Sequence, residues 1–190
     1  MKKLLNIKRE PSVKLNNRIS TYPFLLDILV EINVEKNPEY IANLYTALST
    51  YQQKNNDIEG YIDSLDKVKK IYAELYGDMD KRTIKIKKAV ALALLKNNRN
   101  EEALKELLET EQLQANFYGE DSLQLAKTLK IIGALQLFQN NFIDAQRYYS
   151  KALKIFEEHG VKAAVVDLKK KIKTAREMRD KALASRLPEK

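Results

Sequence analysis

Hydrophobic positions in this chain recur in close pairs on a helical period, with charged and amide side chains filling the intervals. In residues 100–119, NEEALKELLETEQLQANFYG, the apolar Ala103, Leu104, Leu107 and Leu108 fall at i, i+1, i+4 and i+5. That spacing places all four on one face of a helix and leaves the other face polar. The longest unbroken apolar run, from Ala89 to Leu95, is seven residues, whereas crossing a bilayer takes ~20. The pattern predicts amphipathic helices packed on one another, with no membrane-spanning segment.

The helical stretches repeat. An Asn pair occurs at Lys54-Asn55-Asn56, Lys96-Asn97-Asn98 and Gln139-Asn140-Asn141, at spacings of 42 and 43 residues. Between these pairs lie Tyr76-Gly77, Tyr118-Gly119 and His159-Gly160, at spacings of 42 and 41. Two independent markers holding one period point to an internal repeat. Asn and Gly tolerate the left-handed backbone that ends a helix, so each marker predicts a turn between helices. Helix starts are expected at Asp121-Ser122-Leu123-Gln124, read as an N-cap with a capping-box glutamine, and at Asn100-Glu101-Glu102.

These signals predict three helix–turn–helix units, over 37–78, 79–120 and 121–160. A basic capping helix with its tail follows over 161–190. An N-terminal helix over 21–36 opens with Pro23 in its first turn, and a basic arm over 1–20 precedes it. The count is about eight helices in an all-α solenoid. An unpaired terminal helix with a polar outer face is how such arrays close.

Composition removes most chemistry. Of 190 residues none is Cys and one is His, so thiolate sites, disulfides and multi-histidine metal centres are excluded. Proline is absent between Pro38 and Pro188, as a helical body requires. The five glycines are isolated, and neither a phosphate loop nor a serine elbow is present. The expectation is a non-enzymatic protein with no cofactor and no metal. His159 stands where Tyr76 and Tyr118 stand in earlier units, which assigns it to packing or capping. The periodic aromatics Tyr72, Tyr76, Tyr118, Tyr148, Tyr149 and Phe156 are expected in the core rather than stacked on nucleic-acid bases.

Charge changes the picture at the ends. The net charge is +8, with +5 on residues 1–20, +6 on 161–190 and −3 on the remainder. Basic ends flanking an acidic body suit docking on an acidic surface. The start, MKKLLNIKREP, lacks the ~7–15-residue apolar core of a secretory signal, so an intracellular, cytoplasmic protein is expected.

Within 121–160, the residues Leu129, Ile132, Gly133, Phe142, Ala145, Tyr149 and Ala152-Leu153 resemble the tetratricopeptide repeat signature. The period of 42 and the Gly119-Glu120-Asp121 turn resemble the longer repeats of kinesin light chains, although Ser122-Leu123 replaces their usual His-Pro. The resemblance implies close packing at Gly133, Ala145 and Ala152, and a concave ligand groove lined by the first helix of each unit. On those helices Lys85, Lys88, Leu92 and Leu95 share one stripe with offsets i, i+3, i+7 and i+10. Lys127, Lys130, Ala134 and Leu137 repeat it 42 residues later, and Lys171, Ala175 and Met178 continue it. The first unit places Asn43, Thr46, Thr50 and Gln53 there, polar and uncharged.

This groove predicts an acidic protein segment as partner. A subunit of a cytoskeletal or ciliary, axonemal assembly with tubulin as partner is the alternative. A nucleic-acid-binding repeat protein ranks third, because the body is acidic. The chaperone-carboxylate clamp of some tetratricopeptide proteins is disfavoured, since threonines in the first unit, Ala89 and Ile131 stand where its polar residues belong.

Overall fold

Six residues with positive φ punctuate the described chain: Asn56 (60°), Asn98 (59°) and Asn140 (61°), and Gly77 (80°), Gly119 (93°) and Gly160 (65°). All six belong to the Asn and Gly markers. At each of them the chain leaves one helix and turns into the next, using residues that meet little steric penalty there. The computed structural model describes residues 37–185. Its helices are α1 (Pro38–Lys54), α2 (Ile58–Tyr76), α3 (Lys81–Lys96), α4 (Asn100–Tyr118), α5 (Leu123–Phe138), α6 (Phe142–Glu158) and α7 (Lys162–Ala184). The expected N-terminal helix over 21–36, the arm over 1–20 and the last residues of the tail lie outside the described residues.

Local chemistry sets the helix starts. Asn37 caps α1 by accepting from the Tyr40 amide at 3.1 Å, with Pro38 in the first turn. Asp57 caps α2 through the Gly60 amide and Asp80 caps α3 through the Arg82 amide. Each such bond stabilises by ~1 kcal/mol. Two expected starts move by one residue. Ser122, not Asp121, caps α5, its Oγ accepting from the Leu125 amide at 3.3 Å. With that register Leu125 occupies the capping-box position, so Gln124 cannot close the box. Before α4 the left-handed Asn98 delivers Arg99, rather than Asn100, to the cap position. Arg99 makes no cap bond and pairs with Glu102 instead, at 2.6 Å.

The structure divides into two compact units, over 37–97 and 98–185 within the described residues. In the first, α1 packs on α2 and α2 on α3. Its core holds Ile41, Leu44 and Leu48 of α1, Leu65 and Val68 of α2, and Ile84, Ala91 and Leu94 of α3. Gln52 accepts a hydrogen bond from the Ser64 hydroxyl at 2.7 Å, pairing polar groups of α1 and α2. Thr83 is fully buried and its hydroxyl makes no hydrogen bond. Thr83→Val removes that unpaired group at nearly constant shape. It is expected to stabilise by ~1 kcal/mol, read as a melting temperature higher by ~2–4 °C. A lower melting temperature would show that the hydroxyl has a partner in solution.

In the second unit α5 packs on α4 and α6, and α7 packs on α6. Ala103 and Leu107 of α4, Leu125, Ala126, Leu129, Ile132 and Gly133 of α5, Ala145, Tyr149, Ala152 and Phe156 of α6, and Leu168 and Ala175 of α7 are buried. The Thr128 hydroxyl donates to Gln114 Oε1 at 2.7 Å, and both residues are buried. The expected aromatic packing is strongest here, with Tyr148, Tyr149 and Phe156 buried; Tyr72, Tyr76 and Tyr118 are half-buried. Among the described residues no helix is long and apolar enough to cross a membrane.

Candidate functional site

The lysine-bearing stripes lie on helices whose opposite faces are held in the core, which fixes where each stripe points. On α3, Ile84, Ala91 and Leu94 are buried, so Lys85 and Leu92 emerge exposed while Lys88 and Leu95 are half-buried at the margin. On α1, Asn43, Thr46, Thr50 and Gln53 are all exposed. The two threonine hydroxyls are committed to their own helix, Thr46 donating to the Ala42 carbonyl at 2.8 Å and Thr50 to the Thr46 carbonyl at 3.0 Å. These residues give α1 a polar face with no charge on that stripe.

In the second unit Lys127 is exposed, Lys130 and Leu137 are half-buried and Ala134 is exposed. Lys127 and Lys130, three residues apart, are neighbours on the surface of α5. The terminal helix is rotated relative to a simple continuation of the ladder. Ala175 is fully buried whereas its expected counterpart Ala134 is open. Leu168 and Ala175 instead follow the buried Leu125 and Ile132 at a spacing of 43. Lys171 therefore sits on the line between two core residues, and its flexible stem carries the amine outward.

That amine meets a residue the sequence did not single out. Asp167 Oδ2 lies 2.7 Å from Lys130 Nζ, and Asp167 Oδ1 lies 3.9 Å from Lys171 Nζ. The bond from Lys130 holds the Asp167 carboxyl below the usual carboxylate range, with Lys171 and Lys170 adding to the effect. Beneath, burial pushes the Tyr149 hydroxyl up to about 12, the Asp167 charge contributing. A carboxylate four residues before Lys171 was a visible i,i+4 signal. Its bond to Lys130, on another helix, was not.

Elsewhere on the second unit, His159 is the C-cap residue of α6 and its Nε2 lies 2.8 Å from the Asp121 carbonyl. It thereby ties the turn after α6 to the turn before α5, in keeping with the packing or capping role expected of it. A shallow groove of about 320 Å³ lies between the start of α6 and the end of α7, with exposed Ile143 and Leu183 beside Asp144 and Arg179.

The family model for the tetratricopeptide repeat matches residues 82–158. Residues 82–158 are tetratricopeptide repeats. The tetratricopeptide fold extends through the described chain as an all-α helical repeat, and similar solved structures share it. BtubC (BKLC) from P. vanneervenii is 14% identical with a TM-score of 0.60, covering 94% of this chain and 91% of that one. The nearly identical TPR-like repeats of a putative kinesin light chain from Podosopora anserina are 13% identical with a TM-score of 0.55, covering 89% and 97%. A point variant of those repeats is 12% identical with a TM-score of 0.61, covering 91% and 95%. No curated protein sequence matches. Tetratricopeptide repeats form protein–protein interaction scaffolds, and the match over residues 82–158 supports that general role.

Proposed function

We propose that this chain is a non-enzymatic, intracellular scaffold that holds an acidic segment of a protein partner on the lysine-bearing stripes of its first helices. The observation that carries this reading is the α5 stripe. Lys127 and Lys130 are adjacent on the helix surface, with Leu137 half-exposed two turns further on. The α3 stripe repeats the arrangement with Lys85, Lys88 and Leu92. Lysines next to apolar anchors suit a segment that carries acids and a few hydrophobic side chains. The basic ends of the chain extend the attraction by docking on the same acidic partner or assembly.

The test replaces Lys88 and Lys127 by Glu and Lys130 by Gln. Gln is chosen at 130 because a glutamate there would face Asp167. One exposed pair contributes only ~0–1 kcal/mol, so single changes are expected to be nearly silent. The triple variant is expected to bind a partner captured by the wild-type chain with a slower on-rate and a flatter salt dependence. Unchanged affinity at low salt would sink the reading. The likeness to repeats of a kinesin light chain favours a second reading, a structural subunit of a cytoskeletal or ciliary assembly, which co-sedimentation with tubulin polymers tests.

A further inference from the structure

We infer that Asp167 is a built-in competitor for the acidic segment that the α5 stripe takes, occupying the cations a partner carboxylate would otherwise engage. The inference rests on the scaffold reading and names how its site is regulated. Its basis is geometric. Lys127 and Lys130 share one stripe of α5, Lys171 comes from α7, and one carboxylate on α7 joins two of these three lysines. Each oxygen of Asp167 faces a different amine, at 2.7 Å for Lys130 and 3.9 Å for Lys171. Lys127 is left exposed beside them, with no ion-pair partner among the described residues.

The exposure of the cluster makes exchange feasible. The side chains of Lys130, Asp167 and Lys171 are 37%, 41% and 36% exposed, so water and a ligand reach all three. A pair this open is weakly held, and an incoming carboxylate can displace Asp167 without unfolding a helix. Long lysine stems let both amines turn from Asp167 to a ligand. A partner with one acid gains little by the exchange, because it replaces one carboxylate with another. A partner with several closely spaced acids engages Lys127 as well and wins by number. Asp167 thus makes the surface selective for acid-dense segments.

Asp167→Asn keeps the shape and removes the competing charge. The probe is a fluorescein-labelled oligoglutamate peptide, titrated by anisotropy into the full chain at low salt, with circular dichroism confirming that each variant is folded. Glu177→Gln is the control. It makes the same change in net charge on the same helix, ten residues beyond Asp167, where Glu177 faces Lys173 at 3.8 Å. Asp167→Asn is expected to bind about five-fold tighter than wild type, of the order that a released surface pair allows, and Glu177→Gln to change affinity less than about two-fold. Equal tightening by the two variants would reduce the effect to net charge and overturn the inference. A third variant with Lys127→Gln and Lys130→Gln separates the two levels. If it loses binding while Asp167→Asn matches wild type, the stripe binds acids but Asp167 does not compete. If neither variant changes binding, the stripe reading fails too.

Discussion

Ala145→Trp is expected to lower the melting temperature of the 190-residue chain by about 6–12 °C relative to wild type. Ala145 is fully buried near the start of α6, and Tyr149, Ala152 and Phe156 follow it on the same buried stripe at i+4, i+7 and i+11. An indole has no opening there. It must either push α6 off its neighbour or take a strained rotamer, at the upper end of the ~1–3 kcal/mol that overpacking costs. A circular dichroism melt that superimposes on wild type would show that α6 does not present this face to the core. Ala145→Ser, which adds one heavy atom, is expected to lose much less, as a cost governed mainly by added volume requires.

Gly133→Ala is the second large effect, and its sign is the opposite of what helix propensity predicts. An exposed mid-helix Gly→Ala change gains ~1 kcal/mol. Here a Cβ on Gly133 would lie 2.7 Å from Tyr149 Cδ1 and 2.8 Å from Cε1. Tyr149 is 1% exposed, so its ring cannot swing into solvent. With two contacts under 3.0 Å, overpacking falls in the upper part of the ~1–3 kcal/mol range, outweighs the ~1 kcal/mol propensity gain, and leaves a net loss of up to ~2 kcal/mol. The same substitution made in a Tyr149→Leu background should cost less, because the smaller side chain leaves room for the methyl. Additive single and double changes would mean that α5 and α6 do not meet at this contact.

The contact explains why a glycine stands in the middle of a well-packed helix. Residue identity alone flags Gly133 as unusual, and the resemblance to tetratricopeptide repeats marks it as a close-packing position. Only the structure supplies the ring it accommodates. The paired Asn markers are a similar case in the other direction. Asn56, Asn98 and Asn140 were legible as turns because few residue types accept positive φ, and local sterics decide that before any tertiary contact forms.

Helix content, the repeat period, the turn positions and the composition of the core faces were all determined by the sequence itself. Each follows from interactions within about four residues along the chain, or from one periodicity of apolar side chains. The exposed stripes of α1, α3 and α5 were legible for the same reason, since a residue opposite a buried face must emerge. What tertiary structure decided was everything that depends on the rotation of one helix against another. The 43-residue spacing that buries Ala175 and moves Lys171 to the edge of the core follows from how α7 settles on α6. The partner of Lys130 was equally hidden, because Asp167 lies 37 residues away in sequence and 2.7 Å away in space. Linear spacing governs which face a side chain takes, and packing alone governs which charge it finds there.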